Sequence, residues 1–415
     1  MRNITIFRTA ITRSSLDEVL PWLAMHIVLM NGLNTRFLSS ITEVERGAWD
    51  RLFDSACEGY DYFLSCEQAV PDAFEFYAIG VFRGEHLIAG SILFRVDMRL
   101  DVLLDGVVRS FATQLYNLFP RALTIRMIGM GSPHADELPL RFDPKLTEEQ
   151  REFALTAVTD AMLAHAKEER VPVVLLKNVT EIQDQWMRPN LLGQGYSRMP
   201  SLPIAELEIP NSEENYIQNL SANMRSNIRR KLKKAAGIRV EIRNSAKGIN
   251  HELIKLRDET RARAKDDYEV FEELSPRYFS AVLKNGGDKA KLLLYWHGSR
   301  LIGFAIALLE PGRLKEKYTG MHYPDALHHG VFFLNWMMMV RLCLENNIPK
   351  FHAGETTYLT KTRLGCTLDR SWIYVRYTNG LINRLVRKIA PLITIDKSDL
   401  DLKLLGDKAP YKSLR

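Results

Sequence analysis

RGEHLIAGSILF at residues 83–94 and HGSRLIGFAIAL at residues 297–308 are two versions of one phrase. Each has a Gly at a turn, where φ can be positive, flanked by β-rich runs. The pattern predicts antiparallel hairpins over Phe76–Arg95 and Lys291–Leu309. Two more matches follow in the same order. ERVPVVLLKN (169–178) aligns with NNIPKFHAGE (346–355), and LLGQGY (191–196) aligns with RLGCTL (363–368). A period near 200 residues is far above the solenoid range, so the chain holds two copies of one α/β unit.

The elements around these matches fit the duplication. In the first copy, strands are expected at Leu123–Met130, Val171–Leu176 and Pro203–Ile209. Helices are expected at Thr147–Glu169 and Glu181–Arg188, the second stopped by Pro189. In the second copy, strands are expected at Glu316–Tyr323, Ile348–Phe351 and Ser371–Tyr377, with helices at Val331–Asn346 and Thr356–Leu364. The chain divides into an N-terminal helical segment (1–34), a first unit (35–210), a second unit (211–380) and a C-terminal helix and tail (381–415), with the linker near Pro210.

Composition excludes more than it names. The 415 residues are 46% hydrophobic and 26% charged, which excludes a disordered, collagen-like or disulfide-scaffold chain. The net charge of +6 is too small to make the whole chain a nucleic-acid binder, yet six basic residues and no acid lie in Arg225–Lys234. Four cysteines without a CxxC pair read as reduced thiols of a cytoplasmic protein, and no metal site is expected. Val19–Leu33 is apolar but preceded by acids, interrupted by Pro21 and His26, and shorter than the ~20 residues of a spanning helix. It reads as a buried or interfacial helix. Leu381–Ile393 mixes Arg and Lys with apolar residues at helical spacing. That pattern fits a terminal helix packed on its own domain, or one lying on an anionic membrane. No GxxxxGK[ST], HExxH or GxSxG motif is present.

The repeated unit resembles the GNAT acyltransferase fold, in which a hairpin leads to a fourth strand, a helix, a parallel fifth strand and a Leu-Gly-type turn. Here the turns are Leu192-Gly193 and Leu364-Gly365. The tandem pair, the basic helix Leu220–Ala235 and FHAGETTYLTKTRLG (351–365) are similar to the FemAB-like and CelD-like acyltransferases over roughly residues 35–380. The resemblance implies an α/β fold with mixed sheets, two tandem GNAT-like units in a FemAB-like arrangement. It implies transfer of an acyl group from acyl-CoA, or another thioester carrier, to an amine on a small molecule, lipid or cell-envelope precursor. Acyl-CoA would be a co-substrate rather than a resident cofactor. Two alternatives stand beside this reading: an aminoacyl-tRNA-dependent transferase of the FemAB type, and a non-catalytic binding protein of the same fold.

The resemblance also places the site. The family's phosphate loop is glycine-rich, whereas PDALHHG (324–330) offers Gly330 alone, and the first copy departs further. The reactive site is therefore assigned to the second copy, at the cleft between the copies. Arg225, Arg229 and Arg230 on the basic helix, with Gly330, Lys361 and Arg363, are the candidates for donor phosphates. His322 and Glu355 are the alternative general bases for the acceptor amine, and Tyr358 is the acid for the leaving thiolate. Should these fail, His134 and Asp136 in the first copy are next. The expected location is cytoplasmic, with peripheral membrane contact as a variant.

Overall fold

The computed structural model describes residues 32–99, 124–263, 274–392, 399–406 and 409–411. The helix expected at Val19–Leu33 falls almost wholly outside them, and Leu33 opens a strand instead.

The first copy supplies β1 (Leu33–Leu38), β2 (Phe74–Arg83), β3 (His86–Arg99), β4 (Thr124–Met130), β5 (Arg141–Phe142), β6 (Val173–Thr180), β7 (Ser197–Pro200) and β8 (Ile204–Glu208). The second supplies β9 (Ile238–Arg243), β10 (Ala290–His297), β11 (Arg300–Glu310), β12 (Arg313–Met321), β13 (Lys350–Gly354), β14 (Thr367–Asp369) and β15 (Ser371–Tyr377). The predicted hairpins are β2–β3 and β10–β11, each turning at a Gly with positive φ, Gly84 and Gly298. Ahead of its hairpin each copy also has a strand and two helices that the sequence did not show. The helices are Arg46–Phe53 and Tyr60–Gln68 in the first copy, and Asn250–Arg263 and Tyr278–Gly286 in the second.

The sheets have matching orders. One runs β1-β2-β3-β4-β6-β15-β7, with β5 on β3; the other runs β9-β10-β11-β12-β13-β8-β14. Each therefore contains one strand of the opposite copy. The expected return strand Pro203–Ile209 forms β8 in the second sheet, between β13 and β14. Its counterpart Ser371–Tyr377 forms β15 in the first sheet, between β6 and β7. The boundary at residue 210 thus divides the repeat but not the sheets.

The two crossing segments meet. The Ser201 N–H donates to the Ser371 carbonyl at 3.0 Å, and Ser371 Oγ donates to the Leu202 carbonyl at 2.7 Å. Tyr411 Oη accepts the Ser371 N–H at 3.0 Å and lies 2.8 Å from the Ser201 carbonyl. Five backbone groups at the crossing, the N–H and carbonyl of Ser201 and Ser371 and the carbonyl of Leu202, thereby have partners, as burial demands.

A shared core joins the copies. Trp49, Phe53 and Phe63 from the first copy cluster with Phe279, Phe304 and Ile306 from the second. Tyr62 Oη and Tyr278 Oη meet across it at 2.8 Å. The outer faces are covered separately: helices Glu148–Glu168 and Glu181–Gly193 pack on the first sheet, and Ala222–Lys234 and Val331–Glu345 on the second. The helix expected to stop before Pro189 runs on to Gly193. A mid-helix Pro costs about 3 kcal/mol. Burial of Met187 and Leu191, at opposite sides of the Pro, and a Thr180–Gln183 capping box offset that cost.

One packing device recurs. Phe94 lies over its cross-strand partner Gly129, and Phe304 lies over Gly320. A Cβ at Gly320 would sit 2.2 Å from the Phe304 ring and 2.6 Å from the Arg257 backbone nitrogen, which cannot rotate away. Gly320→Ala should lower stability by about 1–3 kcal/mol or more, read by urea unfolding. The strand exchange gives a second expectation. Residues 1–209 and 210–415 expressed apart should each lack native far-UV dichroism, and co-expression should restore it. Independent native folding of either piece would mean that the exchanged strands are dispensable.

Candidate active site

In the second sheet β12 and β13 run parallel, but they pair only at Leu314↔Phe351 and Lys315↔His352 before parting. The equivalent strands β4 and β6 pair over four positions, from Met127↔Val173 to Met130↔Leu176. A bulge on β12 helps open the gap: Ile306 opposes Tyr318 and Ala307 opposes Glu316, so Lys317 is the extra residue. Glu316 lies in this gap. Its carboxylate accepts from Asn335 Nδ2 at 2.5 Å, and Asn335 Oδ1 accepts from Tyr295 Oη at 2.7 Å. Burial raises the Glu316 pKa above its ordinary value.

Just beyond β13 the backbone turns sharply. Gly354, Thr356 and Thr357 all have positive φ, at 74°, 63° and 54°. Two successive threonines there are strained and persist only because their surroundings fix them. Lys361 is part of that fixing: its ammonium donates to the carbonyls of Gly354 at 3.3 Å and Glu355 at 2.7 Å. Glu355, between the strained residues, points to the junction of the copies. Asn178 at the end of β6 donates to Glu355 Oε1 at 3.2 Å and accepts from Ser201 Oγ at 3.2 Å. Asn178 is the residue that aligns with Glu355 in the repeat, so the equivalent ends of the two copies touch. Burial pushes the Glu355 carboxyl up to about 7, against an opposing pull from Lys177.

Tyr358 is fully buried, and among the described residues no side chain pairs with its hydroxyl. Leu202 and Leu402, the latter on helix Leu400–Leu405, close over it. Burial raises its pKa well above the ordinary phenol value. The expected acid thus sits beside the expected base but behind a cover.

The other candidates are placed differently. His322 stands apart: Glu259 Oε2 lies 2.8 Å from its Nδ1, and an Arg300 guanidinium nitrogen lies 2.7 Å from its Nε2. Glu259 can only accept and Arg300 can only donate, so the lone pair that a base would need is occupied. Lys361 is buried on carbonyls rather than open to phosphate, and burial lowers its pKa. Arg363 is exposed. Arg225 donates to the Gln218 and Leu220 carbonyls, Arg230 to Asn227, and Arg229 faces solvent. Gly330, left-handed at φ 67°, does meet the basic helix, but through Lys231, whose backbone oxygen would lie 3.1 Å from a Cβ there.

Between the sheets lies a buried ion network that the sequence did not reveal. Glu58 accepts from Lys315 and Lys317, each at 2.6 Å. Lys317 also pairs with Asp136 at 2.9 Å, and Arg313 with Glu137 at 2.5 Å. Burial disfavours the Glu58 and Glu137 carboxylates, but the β12 cations outweigh it, holding Glu58 far below its usual range and Glu137 down at about 2. His134 is kept neutral by burial and by Lys317, its pKa pushed down to about 3, with Nδ1 3.0 Å from Tyr318 Oη. His134 and Asp136 therefore belong to the joint between the copies. A cleft of about 440 Å³ opens beside it, lined by Glu58, Glu137, Arg141, Glu310, Arg313 and Lys315 among others.

No protein-family model matches the chain, and no curated protein matches it in sequence. Among solved structures, FemX aligns with a TM-score of 0.50 at 12% identity, over 76% of this chain and 91% of FemX. This chain has the GNAT fold, twice, in the FemX-like arrangement. A tandem GNAT protein from the clavulanic acid biosynthesis pathway aligns with a TM-score of 0.48 at 13% identity, over 83% of this chain and 99% of its own. At such identities the likeness to FemX speaks for the tandem GNAT fold alone.

The Glu355 environment predicts a pH dependence. Its pKa is about 7 folded, against a reference value of 4.5. Between those values the folded chain holds a proton that the unfolded chain has released. Its contribution makes stability fall as pH rises from 4.5 to 7 and leaves it level above. Glu355→Gln should remove that slope, and at pH 8 should exceed wild type by on the order of 1–3 kcal/mol in urea unfolding. Parallel stability profiles for the two proteins would show that Glu355 ionises freely in the folded state.

Proposed function

We propose that the chain transfers an acyl group from a thioester, acyl-CoA first, to an amine, with Glu355 as general base. The observation that carries this is the carboxyl at the end of β13, pushed up to about 7 and held by Asn178 from the other copy. A base works best when its pKa lies near the working pH. A free amine near pKa ~10 is about 99.9% protonated at pH 7, so an unprotonated acceptor needs such a group nearby.

In this reading the acceptor first loses its ammonium proton through Glu355 to water, and the neutral nitrogen then attacks the thioester carbonyl. The C–N bond forms, the C–S bond breaks, and the nitrogen proton passes to Glu355. Tyr358, whose hydroxyl has no side-chain partner among the described residues, gives its proton to the departing thiolate and recovers one from Glu355. The products are an amide and a thiol. Helix Leu400–Leu405 covers Tyr358 and must shift for this step. The gap between β12 and β13 suits an extended thioester arm, and Gly330 beside the basic helix suits its phosphates. Glu316 lines the same gap and is the second carboxylate to test.

One observation favours aminoacyl-tRNA as the donor instead. Arg229, Arg230, Lys233 and Lys234 are exposed on a helix, Ala222–Lys234, that contains no acid. A tRNA backbone would bind such a row with steep salt dependence, whereas CoA makes far fewer phosphate contacts.

The test uses acetyl-CoA and longer acyl-CoA thioesters with a library of amines, following thiol release and amide mass. Glu355→Gln should lower kcat by roughly 10²–10⁴-fold and abolish the acidic limb of the pH–rate profile, and Tyr358→Phe should lower kcat by about 10²-fold. Undiminished turnover in both variants would remove the site from β13. Absence of turnover with every thioester, together with turnover on aminoacyl-tRNA, would favour the second donor.

A further inference from the structure

Helix Gly380–Ile389 is mounted with its apolar side outward. Asn379 caps it, accepting from the Leu381 and Ile382 backbone at 3.0 and 3.2 Å. Its attachment to the body is polar: Asn383 accepts from the Tyr377 N–H at 3.0 Å and donates to the Gly195 carbonyl at 2.9 Å. Ala390, one turn past Val386, is buried. Leu381, Ile382, Leu385 and Ile389 are 76, 46, 58 and 47% exposed. At ~100° per residue these four share one arc, and Arg384 and Lys388 lie along its flank. The helix holds three basic residues, Arg384, Arg387 and Lys388, and no acid.

Soluble surfaces rarely leave four large aliphatic side chains together on one helix face. No helix among the described residues is long and apolar enough to cross a membrane. A helix with one aliphatic face and cationic flanks matches the interface of an anionic bilayer. There the aliphatic chains enter the acyl boundary and the cations reach lipid phosphates. We propose that Gly380–Ile389 docks this protein on an anionic lipid surface. The first sheet fixes the orientation, since the helix continues directly from β15.

Cosedimentation of the full chain with vesicles tests this, comparing phosphatidylcholine alone with phosphatidylcholine containing phosphatidylglycerol. Binding should require the anionic lipid and weaken with salt. Leu381→Gln/Leu385→Gln should weaken it at least about tenfold, and Arg384→Gln/Lys388→Gln by roughly fivefold per charge. Both variants should keep the wild-type Tm, because the changed side chains touch little of the body. Failure of the wild type to bind would overturn the proposal, as would unchanged binding by the aliphatic variant. Sedimentation velocity covers the competing occupant: a concentration-dependent dimer lost in Leu381→Gln/Leu385→Gln, without lipid binding, would make the face a contact between copies of the chain.

Discussion

The backbone groups of β8 and β15 are satisfied by strands of the opposite copy. A buried peptide group without a partner costs about as much as a lost hydrogen bond, so each sheet is complete only once the strand from the opposite copy is in place. The place where the two segments cross then fixes what lies around it. Ser201 at the crossing bonds Asn178, and Asn178 bonds Glu355. The candidate base is thus held two hydrogen bonds from the crossing itself. The same exchange brings the faces of the two sheets together over the shared core.

Bringing the faces together also buries charge. Lys315 and Lys317 lie on β12, while Glu58, Asp136 and Glu137 come from the first copy. A well-packed apolar joint would be at least as stable, since desolvation offsets most of the gain in a buried pair. What such pairs do supply is register. A slip of β12 by one residue would turn Lys315 toward the Leu314 side of the sheet and leave Glu58 without one of its cations. The bulge at Lys317 belongs to the same arrangement, because it lets consecutive residues serve the joint and the parting from β13.

The sequence made the hairpins, the helices Thr147–Glu169 and Val331–Asn346, and the duplication legible, because each rests on local periodicity or turn chemistry. It concealed the exchange. Only Ser201–Pro203 separates β7 from β8, and only Arg370 separates β14 from β15, and the expected return strands Pro203–Ile209 and Ser371–Tyr377 correspond to β8 and β15 alone. Which sheet a strand joins is a tertiary fact. Glu355, Tyr358 and Lys361 were legible as a group because they are neighbours in the chain. Asn178 was visible as the match to Glu355 in the alignment of the copies, but nothing local says that aligned residues touch. His322 illustrates the opposite limit. Its position after the fourth strand suited a base, yet the two partners that occupy its ring come from Glu259 and Arg300, far away in sequence.

Order of synthesis gives the exchange a cost in time. When β7 leaves the ribosome, the neighbour it needs, β15, has not been made; the end of β15 follows the end of β7 by about 180 residues. At ~5–20 residues per second that is a wait of roughly 10–35 s. Through that interval the first copy carries an open slot beside β6, whose Val173–Leu176 run is apolar and rich in β-branched residues. An unpaired edge of that kind recruits whatever strand arrives. A nascent chain of this design therefore depends on speed of completion, or on something that shields the slot, in a way that its finished form conceals.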